Sequence, residues 1–148
     1  MPSSQPLRIR VLVFGAFDIF HPGHRSFFRQ AKKLGTELVV AVGRERVITH
    51  IKRRRPIHSE QERLVRVAEE PLVDRAVLAP RDPRRRYAFI RKLRPQIIAL
   101  GHDQATYTTT LVTDLQRQKI QCQVVRLRPF QRQRYRSSLL RQKISSNR

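Results

Sequence analysis

Short apolar runs alternate along this chain with stretches whose apolar residues recur at helical spacing. The apolar runs predict five strands, at residues 7–14, 37–42, 75–79, 96–100 and 122–127. The stretches between them predict helices near 24–34, 59–69, 83–93 and 109–119. Strands that alternate with helices form parallel βαβ units with right-handed crossovers. The pattern therefore predicts an α/β protein built on one parallel sheet, with helices on both faces.

Two of the predicted helices begin with clear capping signals. Ser59 and Glu62 form a capping box, in which the hydroxyl accepts the backbone N–H three residues on. Asp82 caps the next helix, and Pro83 takes its favoured first position. The basic residues 43–58 are predicted to form a loop. Expected to face inward in the helix after Ser59 are Leu64, Val65 and Ala68, and a last short helix is expected from Ser137 or Ser138 to Ile144.

The length of 148 residues suits one domain with a single core. We place that domain at residues 7–144, with flexible ends at 1–6 and 145–148. No apolar stretch approaches the ~20 residues of a membrane helix, and residues 1–6 lack the apolar segment of a secretory signal. The single cysteine, Cys122, excludes an intramolecular disulfide. We therefore expect a soluble protein of the reducing cytoplasm, with no membrane partner.

The formal net charge of +21 favours polyanionic partners, such as nucleic acid or phosphorylated small molecules. Residues 115–148 contain ten Lys and Arg and no acidic residue, and a second basic patch lies at residues 44–55. The alternative is an arginine-rich surface without a specific partner, because basic residues occur in elements of every kind. Weak, non-specific binding of nucleic acid is therefore one expectation from charge.

The most unusual segment is residues 15–24, between the first strand and the first helix. Gly23 permits a close backbone approach, and His24 lies at the helix start, where free N–H groups and the helix dipole favour an anion. His21 and His24, three residues apart, can donate to phosphate oxygens on the same side. A lone histidine here would usually be structural, whereas two that flank a glycine favour phosphate binding.

This segment, GAFDIFHPGH, resembles the H-x-G-H signature of the nucleotidylyltransferase superfamily. The form G-T-F-D-x-x-H-x-G-H is that of the cytidylyltransferase-like branch, which includes glycerol-3-phosphate cytidylyltransferases and short archaeal-type FAD synthases. The resemblance covers nearly the whole chain. Further similar segments are residues 52–63 (the K…P…S…ER stretch), 73–74 (VD), 95–104 (PQIIALGHDQ, as in the FAD synthases) and 136–138 (the step into the last helix).

The resemblance implies a single-domain Rossmann-like sheet of the HxGH type and a transfer reaction. An acceptor phosphate attacks the α-phosphorus of a nucleoside triphosphate and expels pyrophosphate, so that positioning and charge neutralisation matter more than a strong base. Mg²⁺ would share the negative charge. The implied catalytic residues are His21, His24, Lys52 and Arg63. The implied nucleotide contacts are Ala16, Phe17, His21, Pro22, Gly23, His24, Asp103, Phe130, Ser137 and Ser138.

Several of these positions also have a structural interpretation. Which of the basic residues 52–55 reaches phosphate is open, and Asp18 either holds the motif turn or helps to bind Mg²⁺. Ala16 stands where the family usually has Thr, so a hydroxyl that could bond phosphate is lost. The structural alternatives are a solvated helix face for Arg63, a cap for Asp103, Ser137 and Ser138, and a core position for Phe130.

The leading hypothesis for function is an FMN adenylyltransferase, which makes FAD from ATP and FMN. Its flat isoalloxazine ring needs an apolar wall, for which the candidates are Phe17, Phe20 and Phe130. The alternative enzyme is a cytidylyltransferase that uses CTP and glycerol 3-phosphate. A third hypothesis is a basic RNA-associated protein on the same fold, but no RRM, KH or zinc-knuckle signature is present. Relatives are commonly dimers, which implies a homodimer.

Overall fold

The computed structural model describes residues 7–104 and 109–129. Five parallel strands form one sheet in the order β3-β2-β1-β4-β5. The strands are β1 (Arg10–Gly15), β2 (Glu37–Val42), β3 (Arg75–Leu78), β4 (Ile97–Leu100) and β5 (Gln123–Arg126). The predicted α/β class, the five strands and their parallel arrangement are confirmed.

Helices cover both faces of the sheet, as predicted. They are α1 (Pro22–Lys32), α2 (Glu45–Lys52), α3 (Glu60–Ala68), α4 (Arg86–Leu93) and α5 (Leu111–Arg117), with a 3₁₀ turn at Pro83–Arg85 before α4. One apolar cluster packs α1 and α3 against β1 and β2 through Phe28, Ala31, Val67, Val11, Val13, Val40 and Val42. The other packs α4 and α5 against the opposite face through Ile90, Leu93, Leu111, Leu115, Leu12, Val39 and Ile98.

The prediction that residues 43–58 form a loop is wrong, because they contain α2. Its apolar residues Val47, Ile48 and Ile51 recur at helical spacing, but only Ile48 is buried. Its N-terminus is held from a distant part of the chain: the Glu60 carboxylate accepts from the Glu45 N–H at 3.2 Å and from Arg44 Nη1 at 2.7 Å. A cap supplied from fifteen residues downstream leaves no local sequence signal.

The inward face of α3 also differs from the prediction. The Ser59 hydroxyl accepts the Glu62 N–H at 3.1 Å, which confirms the predicted cap. Val65 is 56% exposed, and Ala68 is exposed as well. Leu64 is half-buried and packs against the core, as predicted. The buried side chains of this helix are Arg63 and Val67, four residues apart on one helix face.

The order of the strands reverses at β1, with β2 and β3 on one side of it and β4 and β5 on the other. β1 pairs with β2 through six residue pairs, but with β4 through only two, Val11 with Ile97 and Leu12 with Ile98. The two strands therefore part toward their carboxyl ends. Sheets of this kind bind ligands outside the carboxyl ends of the strands, at this switch point.

Other expectations concern parts of the chain that the structure does not describe. Phe130, Ser137, Ser138, the last helix and the chain ends lie outside the described residues. The domain limits of 7–144 stay a prediction. Within the described ranges, no helix is both long enough and apolar enough to cross a membrane.

Candidate active site

His21 and His24 cap the N-terminus of α1 together. Nδ1 of His21 accepts the backbone N–H of Gly23 at 3.0 Å, and the backbone N–H of His21 donates to Nδ1 of His24 at 3.3 Å. The two rings stack with their centroids 3.7 Å apart. Pro22 takes the first helical position, where its missing N–H costs nothing. The motif thus builds a capping box from two imidazoles in place of the usual hydroxyl and carboxylate.

This arrangement fixes where each imidazole carries its proton. A ring nitrogen that accepts a hydrogen bond has no hydrogen, so each neutral ring is protonated at Nε2. Burial lowers the pKa of His21 to about 4. Burial, followed by the charges of His21 and Lys52, lowers the pKa of His24 to about 3. At neutral pH both rings are therefore uncharged Nε2–H donors.

Lys52, the last residue of α2, is exposed and lies near enough to affect the pKa of His24. Arg53 follows with a left-handed backbone, φ 57°, which ends the helix. The structure therefore places the positive charge of Lys52 within electrostatic range of His24. Its contact with phosphate stays a prediction.

Arg63 is 1% exposed, so its interpretation as part of a solvated face is wrong. Its Nη1 donates to the carbonyl oxygen of Ala16 at 2.8 Å, and its Nε donates to that of His58 at 3.2 Å. Nη2 is buried without a hydrogen-bond partner among the described residues. Arg63 thus ties α3 to the turn after β1, and its predicted triphosphate contact stays a prediction.

Asp18 holds the backbone of the segment between α2 and α3. Its two carboxylate oxygens accept the backbone N–H groups of Ile57 at 2.8 Å and His58 at 2.9 Å. Of the two roles considered for Asp18, the structure shows the holding role, with the difference that the segment held is the one between α2 and α3. The Asp18 side chain is itself buried, which keeps these charge-assisted bonds away from competing water.

Phe17 supports His24 from the core. Its side chain is 5% exposed, and its ring meets that of His24 edge-on at 5.3 Å between centroids. The backbone of Phe17 has φ 51°, a conformation that costs energy in a bulky residue. The ring lies over Gly15, where a Cβ would come within 2.5 Å of it. Phe17 is therefore not available as a wall for a flavin ring; any nucleotide contact at this position belongs to its backbone.

Phe20 is half-buried beside His24, with the ring centroids 5.3 Å apart. The guanidinium carbons of Arg25 and Arg66 lie 5.5 Å and 5.2 Å from the centroid of the Phe20 ring. Both are cation–π contacts. The ring is therefore already in contact with two cations and with His24.

Gln104 is a residue of the site that the sequence analysis did not select. Its Nε2 donates to the carbonyl oxygen of Phe14 at 2.8 Å, and its Oε1 accepts the N–H of Gly101 at 2.8 Å. The side-chain amide thus bridges β1 and the segment after β4, where these strands part. The sequence signal that could have identified Gln104 is its position at the end of the stretch PQIIALGHDQ. Asp103 is exposed in the adjoining turn, and its predicted nucleotide contact stays a prediction.

A metal cage is absent from the described residues. Within them, no three His, Cys, Asp or Glu side chains are grouped closely enough to hold a metal ion. Both oxygens of Asp18 already accept N–H groups. Mg²⁺ commonly keeps several waters and binds through substrate phosphates rather than through an all-protein cage. The role of Asp18 as a magnesium ligand stays a prediction.

The profile of the Cytidylyltransferase-like family matches residues 12–143. The chain belongs to this family. It is 42% identical over 114 residues to the FAD synthase of Archaeoglobus fulgidus, an alignment that covers 77% of this chain and 80% of that one. It is 40% identical over 122 residues to the FAD synthase of Aciduliprofundum boonei, covering 82% and 80%.

A solved structure agrees with the fold. The lipopolysaccharide core biosynthesis protein of Thermoplasma volcanium superposes with a TM-score of 0.76 and 34% sequence identity, over 83% of this chain and 98% of that one. The family match and this superposition confirm both the suspected resemblance and the Rossmann-like architecture of the site.

Proposed function

We propose that this protein is an FAD synthase, which transfers the adenylyl group of ATP to the phosphate of FMN and releases pyrophosphate. The pair of neutral Nε2–H donors at the N-terminus of α1 carries the proposal. Such a site suits the α-phosphate of a nucleotide, because it adds two aimed donors to the positive end of a helix dipole. The similarity to archaeal FAD synthases supports ATP and FMN as the substrates.

The chemistry needs little from the protein beyond placement and charge. The FMN phosphate is already an anion at neutral pH, so its oxygen attacks without a general base. As negative charge moves toward the departing pyrophosphate, the Nε2–H groups of His21 and His24 stabilise it. These donors are fixed before the reaction by their Nδ1 bonds, and preorganised donors cost no reorganisation in the transition state.

Lys52 contributes a positive charge within electrostatic range of His24, and Arg63 and Asp18 hold the surrounding backbone in place. Mg²⁺ would neutralise part of the triphosphate charge and would enter with ATP. Ser137 and Ser138 would add phosphate contacts, and Phe130 a nucleotide contact.

A pyrophosphate-release assay tests the proposal. ATP and CTP are each crossed with FMN, glycerol 3-phosphate and phosphopantetheine in the presence of Mg²⁺, and flavin products are separated by chromatography. We expect FAD only from ATP with FMN. Turnover of CTP with glycerol 3-phosphate, without turnover of ATP with FMN, would replace the proposal by the cytidylyltransferase alternative. Removal of Mg²⁺ with a chelator should abolish the reaction.

Two partners and one location complete the proposal. A homodimer is expected from the family and is tested by light scattering. The net charge supports weak, non-specific binding of nucleic acid, for which affinity should fall steeply with salt. Both substrates are cytoplasmic metabolites, so we expect the protein to act in the cytoplasm.

A further inference from the structure

Two large aliphatic side chains are exposed at the end of α2 and in the segment after it that Asp18 holds. Ile57 is 43% exposed and Ile51 is 38% exposed. The remaining exposed large apolar residues of the described chain are Leu7, Val65, Leu72 and Val112. Ile51 and Ile57 lie on either side of the basic residues 52–55. An apolar surface bordered by positive charge suits a ligand with a flat apolar part and a phosphate.

Backbone hydrogen bonds place Ile57 near the histidine motif. The Ile57 N–H donates to the Asp18 carboxylate at 2.8 Å, and Asp18 lies three residues after the end of β1 and three residues before His21. Lys52, which directly follows Ile51, acts on the pKa of His24. Because its backbone is fixed at residues 57 and 58, the segment presents Ile57 without a large loss of conformational freedom when a ligand binds.

The segment also follows the strand that lies across β1 from the strand switch. β2, which leads into α2, neighbours β1 on one side, and β4 neighbours it on the other. The cleft between β1 and β4, bridged by Gln104, suits the nucleotide. The β2 side is then left for the second substrate.

Aromatic side chains of the described site do not offer an alternative wall. Phe17 is buried in the core, and Phe20 is in cation–π contact with Arg25 and Arg66. A flavin ring would have to displace both guanidinium groups to stack on Phe20. Ile57 is not a member of either core cluster, so it is open to a ligand without such a cost.

We propose that Ile57 forms part of the apolar subsite for the isoalloxazine ring of the acceptor, with residues 52–55 attracting its phosphate. This inference rests on the proposed FAD synthase function. The subsite selects for an acceptor with a broad apolar ring over a small phosphorylated alcohol. It makes Ile57 a specificity-determining residue that leaves ATP binding unaffected.

The test compares Ile57→Ser with wild type in steady-state FAD synthesis. We expect the KM for FMN to rise about tenfold, which corresponds to about 1.4 kcal/mol, while the KM for ATP changes less than about twofold. Riboflavin, which has the ring but no phosphate, serves as a competitive inhibitor against FMN. Its inhibition constant should rise by the same factor, and Ile57→Leu should restore both values.

Val65→Ser is the matched control, because Val65 is a 56% exposed aliphatic residue on α3. It should leave both KM values unchanged. Thermal unfolding of all variants checks that the fold is kept. If wild type makes FAD and Ile57→Ser binds FMN and riboflavin as wild type does, the subsite is elsewhere and the proposed function stands. If wild type makes no FAD, the proposed function fails first.

Discussion

Asp18 and Arg63 hold His58 by opposite ends of its backbone. The Asp18 carboxylate accepts the His58 N–H at 2.9 Å, and Arg63 Nε donates to the His58 carbonyl oxygen at 3.2 Å. Nη1 of Arg63 also donates a hydrogen bond to the carbonyl oxygen of Ala16. Neither side chain is exposed, so two buried charges order a segment that carries basic residues to the histidine pair.

Asp18→Asn should weaken this arrangement strongly. An amide can accept through its oxygen only, so its NH₂ group would face one of the two N–H donors. Hydrogen bonds to a charged group contribute about 1.5–3 kcal/mol, and we expect the free energy of unfolding to fall by about 2 kcal/mol. Urea unfolding measures the change, and FAD synthesis should fall with it.

Glu69→Gln provides the control, since Glu69 is an exposed carboxylate at the C-terminus of α3. Its stability should stay within about 0.5 kcal/mol of wild type. An Asp18→Asn variant as stable as this control would mean that the bonds to residues 57 and 58 do not order the segment.

His21 has two roles that a pair of substitutions separates. Asn is a favourable N-cap residue, so His21→Asn keeps an acceptor for the Gly23 N–H but removes the Nε2–H donor. We expect stability near wild type and a kcat about a hundredfold lower, the typical cost of one preorganised donor. His21→Ala should lose the same activity and in addition about 1 kcal/mol of stability.

His24→Ala tests the partner ring in the same assays and should also slow turnover about a hundredfold. Folding is verified by circular dichroism and unfolding by urea. A near-wild-type kcat in folded His21→Asn or His24→Ala would show that the substituted ring does not stabilise the transition state.

Stability should depend on pH through the same two rings. Their pKa values are about 4 and about 3 in the folded chain, against the ordinary histidine value of 6.5 in the unfolded chain. Between these values the unfolded chain binds more protons, so the free energy of unfolding decreases as the pH falls from 6.5 toward 4. The full contribution is present above pH 6.5.

Urea unfolding of wild type and His21→Asn at pH 7.5, 6.0 and 5.0 checks this dependence. The difference in stability between the two proteins should shift in favour of the variant as the pH falls, since Asn does not titrate. Contributions from histidines outside the pair are common to both proteins and cancel. Because the charge of His21 lowers the pKa of His24, its removal shifts the difference in the same direction. A constant difference would show that His21 titrates normally in the folded chain.

Ala16 offers a test by gain of function. The family usually has Thr here, and Ala16 lies half-buried directly after β1. Ala16→Thr should lower the KM for ATP about tenfold, because a hydrogen bond to a charged phosphate contributes about 1.5 kcal/mol or more. Ala16→Val has the same shape without the hydroxyl and should show no gain. Equal effects of Thr and Val would assign the change to packing.

The fold could be predicted because burial of parallel strands leaves a strong signal in the sequence. All β2 residues after Glu37 are buried, and the run LVVAV is continuous. The histidine pair was likewise visible, since its spacing around Gly23 is specific. Asp82 and Ser59 were correctly predicted as caps because each acts on a nearby residue.

The features that were missed depend on distant contacts. α2 is capped by Glu60, which belongs to another helix. Arg63 is buried despite its charge because two carbonyl groups and nearby carboxylates compensate it, and hydrophobicity patterns cannot anticipate that. Phe17 was predicted as a wall for the flavin ring because it is an aromatic residue of the motif. Its left-handed backbone, which turns the ring over Gly15, has no signal in composition or spacing.

The amide of Gln104 behaves as one extra peptide unit, inserted where β1 and the end of β4 separate. Main-chain spacing in a sheet is ordinarily fixed by the ladder and is beyond the reach of single substitutions. Here the spacing is set by a side chain, whose length changes with one codon. A substitution at position 104 can therefore change the distance between the two strand ends, just as a substitution in a binding site changes a ligand contact.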